Sequence, residues 1–257
     1  VTRLCNRPTE NLRVHWGGFA ERGLVSDWRA MERDGVPLDW TKGIQQVLPT
    51  DFDPARSTMV ITWRETLSFI TRIGAADGAK VLVMGTGGNG LSYMNHAANL
   101  GAATVLAIGS PAREETARAV GATDFISYHE NDLVAAARAR GLDGFDLMID
   151  AVGKIGQLDR VMPLVRPDGV VAIYGVDDYG KITINPQRAP GSFTFANKGY
   201  WEYETHDRVV ELIQQGRLRA EHWLDLDHAF PLTEMNEALA AIRERRVVKA
   251  LVKLSGD

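Results

Sequence analysis

Gly85, Gly87 and Gly90 fall in the stretch VLVMGTGGNGLSYM (81–94), between an apolar run and a segment of helical character. Glycines at that spacing, placed where a strand turns into a helix, are the arrangement that receives a dinucleotide. The first permits a tight turn, the second lets backbone approach a pyrophosphate, and the third lets helix and strand pack closely. Thr86, Gly88 and Asn89 complete the loop, and a helix starting near Gly88 would aim its amide dipole at the phosphates. A tight turn without a ligand is the plainer alternative, and the β/α units that flank the motif argue against it.

The second strand should end at Gly109, about where an NAD-binding unit carries an acid for the ribose hydroxyls. Ser110 and Arg113 follow instead. A carboxylate about 4 Å from a 2'-phosphate would cost on the order of 4 kcal/mol at an effective dielectric near 20. Its absence, with a hydroxyl and a guanidinium nearby, favours NADP(H) over NAD(H). The alternative is that Ser110 only begins the next helix and Arg113 is a solvated surface residue.

The elements that must position this loop are legible from 80 to 175. Strands are expected at KVLVMG (80–85), TVLAIG (104–109), DFIS (124–127), FDLMIDAVG (145–153) and VVAIYG (170–175). Helices are expected after the glycine loop through Leu100, at 111–122 and at 131–141, with helix and turn at 157–169. Short runs apolar on both faces, separated by crossover helices, mean an α/β fold with a doubly wound parallel sheet. Outside it, GGFAERGLV (17–25) reads as a strand, and 26–57 shows no clear periodicity. FPLTEMNEALAAIRERR (230–246) reads as a helix capped by Thr233, with Met235, Ala238, Leu239 and Ile242 on one face, and VVKALVKL (247–254) as a closing strand. The expected division is 1–57, a partial β domain; 58–215, the dinucleotide-binding domain; and 216–257, a return to the first.

The 257 residues carry a net charge of -4, which speaks against a nucleic-acid partner. RERRVVKALVK (243–253) is better read as a helix end entering a strand than as a binding patch. No apolar run approaches the roughly 20 residues of a membrane span, and no signal peptide is evident. One cysteine, Cys5, leaves no internal disulfide and no cysteine-based zinc site within one chain, and the cytoplasm is the expected location.

GGFAE (17–21), LP (48–49), KVLVMGTGGNGLS (80–92), NLGAATVLAIG (99–109), ARAVGATDFI (117–126), FDLMIDAVG (145–153), PLVRPDGVVAIYG (163–175) and HAFPLTEMNEAL (228–239) occur in that order. Together they resemble the medium-chain dehydrogenase/reductase superfamily, the zinc alcohol dehydrogenase relatives, over nearly the whole chain. The resemblance implies a Rossmann domain set between two parts of a GroES-like catalytic domain. It implies hydride transfer between nicotinamide and an alcohol, aldehyde or ketone. Gly85, Thr86, Gly87, Gly88, Asn89 and Gly90 would line the pyrophosphate, and Gly109, Ser110 and Arg113 the adenosine phosphate. Ala151, Val152, Gly153, Tyr174, Gly175 and Val176 would border the cofactor at later strand ends. Lys249 falls where relatives often carry a basic residue near the pyrophosphate. A homodimer, paired through an edge within 181–199, is expected by analogy alone.

The chain also departs from that pattern. Most of the GroES-like domain would lie upstream of GGFAE, before which stand sixteen residues, so the segments that bind catalytic zinc are expected outside this sequence. Cys5 sits at the spacing of the last structural-zinc cysteine, without its partners. Ile61 stands where many relatives supply a Cys or Glu ligand. The nearest carboxylate, Glu65, is one helical turn on and could face the nicotinamide, though an exposed helix carboxylate is the commoner case. The six histidines are scattered, His96 reads as a surface or packing residue, and no Tyr-x-x-x-Lys pair exists. No metal ligand is assigned and zinc stays open. Beside the NADP(H)-dependent alcohol or carbonyl oxidoreductase stand two alternatives: a zinc-free relative of quinone or enoyl reductases, and a non-catalytic NADP(H)-binding protein.

Overall fold

Residues 27–37 and 46–254 are described in this computed structural model. In chain order they form α1 (Trp28–Arg33), α2 (Pro54–Ser57), α3 (Val60–Arg72), β1 (Lys80–Met84), α4 (Gly88–Asn99), β2 (Thr104–Gly109), α5 (Glu114–Ala119), β3 (Asp124–Ser127), α6 (Leu133–Arg138), β4 (Phe145–Asp150), β5 (Val165–Ile173), β6 (Phe193–Ala196), α7 (His206–Gln214), β7 (Phe230–Pro231), α8 (Met235–Arg243) and β8 (Val252–Lys253). Glu65–Tyr200 make one compact unit, and the described residues before and after it make another.

The central unit is built on a six-stranded sheet in the order β3-β2-β1-β4-β5-β6. Every neighbouring pair is parallel, from Lys80 opposite Thr104 to Ala172 opposite Ala196. Val81, Leu82, Val83 and Met84 are all 3% exposed or less, so both faces of β1 are covered, as crossover connections require. The doubly wound α/β reading is borne out. The chain runs outward from β1 to β3 and then restarts at β4 on the other side of β1, so the order reverses between β1 and β4. In open sheets of this kind ligands bind outside the carboxyl ends of the strands at that point.

Several local expectations are corrected. The helix expected over 111–122 is a 3-10 turn at Pro111–Arg113 followed by α5, which ends before Gly121 at φ +114°. The helix expected in 157–169 is two 3-10 turns, Leu158–Arg160 and Met162–Leu164, with Pro163 inside the second. The last strand of the α/β pattern begins earlier than 170, at Val165, with a register shift between Phe145 and Leu147 on its partner. β6 forms the sheet edge within 181–199, as expected.

In the flanking unit, the described residues of 26–57 include two short helices that periodicity missed. Asp27 caps α1 by accepting from the Arg29 and Ala30 amides, and Asp53 caps α2 through the Arg56 amide. Thr233 does not cap α8: it lies in a 3-10 turn, Leu232–Glu234, and no side chain caps the helix. The buried face of α8 is Ala238 and Ala241, while Leu239 and Ile242 stand exposed. Of 247–254 only Val252–Lys253 is strand, paired in parallel with β7, and Lys249 makes a single bridge to Leu224. Trp63 and Trp223, both buried, meet edge to face at 5.5 Å. Arg64, fully buried, is satisfied by the Glu202 carbonyl at 3.0 Å and its carboxylate at 3.5 Å. Cys5 and the strand expected at 17–25 lie outside the described residues.

Candidate functional site

The end of β1 explains two of the three motif glycines by packing alone. Gly85 has φ +104°, which an L side chain rarely adopts, and a Cβ there would stand 2.7 Å from Val152 Cγ2. A Cβ on Gly90 would stand 1.9 Å from the Gly85 carbonyl oxygen, so helix α4 could not seat against the turn. Gly87 is different. Its backbone is extended, at φ -79° and ψ -178°, and a Cβ on it would meet nothing within 4 Å. Among the described residues nothing demands a glycine there, and the open space lies at the N-cap of a twelve-residue helix with no side-chain cap and no acid in its first turn. That first turn carries no acid to balance the positive end of the helix. This fits a pyrophosphate approached closely by backbone.

At the end of β2 the reason for Gly109 comes from inside the fold. A Cβ there would lie 2.2 Å from Thr86 Cγ2 and 2.6 Å from Thr86 Oγ1. The Thr86 hydroxyl in turn accepts the Ser110 amide at 3.1 Å. A side chain at position 109 would therefore require the Thr86 side chain to move. The Ser110 carbonyl accepts the Arg113 amide at 2.8 Å, so both residues belong to one turn at the strand end. Ser110 does precede a 3-10 turn, but its hydroxyl does not cap it.

On the far side of β1 the ends of β4 and β5 are locked backbone to backbone. A Cβ on Gly153, at φ +77°, would lie 2.2 Å from the Gly175 carbonyl oxygen, and one on Gly175 would lie 2.0 Å from the Val152 carbonyl carbon. Asp150, fully buried, organises this corner. Its Oδ1 accepts the Val152 and Gly153 amides, both at 2.9 Å. Its backbone carbonyl accepts the Tyr174 amide at 2.8 Å and the Gly175 amide at 3.0 Å. Its Oδ2 is buried with no hydrogen-bond partner. Burial pushes the Asp150 carboxyl above its usual range, the two amides pull the other way, and the Asp177 charge adds to the rise. Sequence reasoning passed over Asp150, although an acid ending the apolar strand FDLMID was the available signal.

Tyr174 is the second residue at which side-chain contacts exceed what spacing showed. Its hydroxyl donates to Glu65 Oε1. Its ring packs on Phe69 at 5.1 Å and Tyr93 at 5.2 Å, with Tyr200 at 6.3 Å. Glu65 is thus a half-buried, partnered carboxylate, which corrects the commoner expectation of an exposed one. The Tyr93 hydroxyl is buried without a hydrogen bond of ordinary geometry; burial pushes its phenol well above the usual range, and Tyr174 and Glu65 add to that. His96 is a packing residue, fully buried with Nε2 3.1 Å from Thr66 Oγ1.

The sheet therefore gathers Gly85 to Gly90, Gly109, Ser110, Arg113, Ala151 to Gly153 and Tyr174 to Val176 at the carboxyl ends of β1, β2, β4 and β5. Lys249 belongs to the flanking unit, where its Nζ donates to Thr62 Oγ1 at 2.9 Å. Among the described residues no group of three or more His, Cys, Asp or Glu could hold a metal, and Ile61 offers no ligand. The described side chains do not fit a zinc centre.

A family model described as zinc-binding dehydrogenase matches residues 88–215. Residues 88–215 thus carry the zinc-binding dehydrogenase domain, and the chain is similar to zinc-type alcohol dehydrogenases, as its sequence resemblance implies. It is 32% identical over 179 residues to a probable zinc-binding alcohol dehydrogenase of Mycobacterium tuberculosis, covering 65% of this chain and 43% of that protein. It is 30% identical over 198 residues to an NADP-dependent isopropanol dehydrogenase of Clostridium beijerinckii, covering 71% of this chain and 55% of that one. Among solved structures, the alcohol dehydrogenase TADH from Thermus sp. ATN1 superposes with a TM-score of 0.68 at 26% identity, over 81% of this chain and 62% of its own. The chain thus spans about half the length of the two curated relatives. Among the described residues no helix is long and apolar enough to cross a membrane.

Proposed function

We propose that this chain binds NADP(H) along the carboxyl edge of its parallel sheet and serves hydride transfer between that nucleotide and a small alcohol, aldehyde or ketone. The observation that carries the reading is Gly87, a glycine facing open space at the uncapped start of α4, at the point where the strand order reverses. When bound, the nicotinamide supplies the hydride acceptor or donor. The chain's own residues do the rest. Gly85 to Gly90 present backbone to the pyrophosphate. Gly109, Ser110 and Arg113 receive the adenosine end, where Gly109 stands in place of the acid that would repel a 2'-phosphate. The locked corner of Ala151 to Gly153 and Tyr174 to Val176 gives the nicotinamide a rigid wall, which keeps the reacting carbon in register. The NADP-dependent isopropanol dehydrogenase among the relatives supports the phosphorylated nucleotide and a small alcohol.

No zinc step is included, because the described residues supply no ligand set. A zinc-free carbonyl or enoyl reduction is the second reading, favoured by Ile61 and by the placement of Glu65. We also infer a homodimer formed along β6, an edge strand with Phe195 51% exposed. Light scattering giving a monomer mass would remove that inference.

The test is turnover of NADPH against a panel of short aldehydes, ketones and enones, followed through the nicotinamide absorbance. Consumption with saturation in the carbonyl compound is expected. Tight nucleotide binding with no turnover on the whole panel would leave a binding protein in place of an enzyme.

A further inference from the structure

Across the switch point from Gly109, the crevice holds a chemistry that the glycine motif does not explain. The adenosine half of a dinucleotide lies toward β2, so the other half lies over the ends of β4 and β5. Tyr174 is the first residue past β5, and its hydroxyl donates to Glu65 Oε1, on α3. Phe69, Tyr93 and Tyr200 pack around the Tyr174 ring, and Glu65 is half-buried. A phenol hydrogen-bonded to a carboxylate is a relay that can accept a proton at one end and discharge it at the other.

We propose that Tyr174 and Glu65 form the acid–base pair for the reacting oxygen of an alcohol or carbonyl substrate, which rests on the proposed nucleotide site. In the oxidative direction the alcohol O–H bond breaks and its proton forms a new O–H bond on Tyr174, as the phenol's own proton passes to the Glu65 carboxylate. The electron pair of the carbinol C–H bond leaves as hydride to an oxidised nicotinamide, and the C=O bond forms. Glu65 then returns one proton to water. The reductive direction runs the same transfers backward. Tyr174 is the catalytic residue, and Glu65 acts through it.

Binding alone gives the first readout. A carboxylate near the nicotinamide favours the oxidised ring, which is cationic, over the reduced one. In Glu65→Gln the ratio of NADP+ to NADPH affinity is expected to fall about tenfold. In Tyr174→Phe, which leaves the carboxylate without its phenol, the same ratio is expected to rise about two- to threefold. Circular dichroism melts check that each variant is folded, and either variant alone suffices for the comparison. The second readout is kcat, expected to drop about hundredfold in Tyr174→Phe with KM little changed. If both nucleotides bind and neither variant moves their ratio, the pair does not serve the site and the nucleotide site still stands. If neither nucleotide binds the wild-type chain, the site and the pair fall together.

Discussion

The two halves of the carboxyl edge of the sheet are built by opposite means. On the β1–β2 side the chain removes side chains: Gly85, Gly87, Gly90 and Gly109 clear space, and the binding surface is backbone. On the β4–β5 side it buries polar side chains: Asp150 clamps two amides, and Tyr174 reaches Glu65. Under the proposed function the first half meets the pyrophosphate, for which bare backbone and a helix dipole suffice, with the adenosine end beside it. The second half faces the end where chemistry is proposed, and there titratable groups are held by several elements at once. On that reading recognition and reaction are separated across one switch point.

The contrast can be broken at either side, and the largest effect is expected from Gly90→Val. With its Cβ 1.9 Å from the Gly85 oxygen, the variant is expected to lose about 3 kcal/mol or more in urea unfolding. Gly87→Val, three residues away, is expected to melt within about 1 kcal/mol of wild type yet bind NADPH about a hundredfold more weakly by fluorescence titration. Equal loss of stability in both would mean that Gly87 is a packing glycine like the others.

A sharper cut tests Thr86. In the double variant Thr86→Gly, Gly109→Asp the acid gains room, and the NADPH-to-NADH preference is expected to shift about tenfold toward NADH. An unmoved preference would show that the strand end does not meet the adenosine ribose.

The smallest effect is expected at Asp150, whose carboxyl is raised in the folded state chiefly by burial. The folded protein holds that proton more tightly than the unfolded chain. Stability from this group therefore falls as pH rises from the ordinary value of 3.8 through the raised one. Urea midpoints taken upward in pH from that ordinary value should show wild type losing stability relative to Asp150→Asn. Parallel pH profiles would mean that Asp150 titrates normally.

How much of this was legible depended on which force decides each feature. The sheet was readable because strands covered on both faces have to be continuously apolar, as KVLVM and TVLAIG are. The glycine loop was readable because its spacing is local. The helix at 111–122 was overdrawn because Pro111 and Gly121 cut it short. Thr233 looked like a cap, but the chain enters α8 through a 3-10 turn. The Tyr174–Glu65 contact joins residues 109 positions apart, and Thr86 against Gly109 joins neighbouring strands. No periodicity announces such pairs, because tertiary packing creates them.

The most direct test of the central claim is calorimetric titration of the wild-type chain and Gly87→Val with NADPH and NADH under the same conditions. Wild type is expected to bind NADPH more tightly than NADH, and the folded variant to bind neither measurably. Undiminished NADPH binding by folded Gly87→Val would contradict the placement of a dinucleotide at the start of α4.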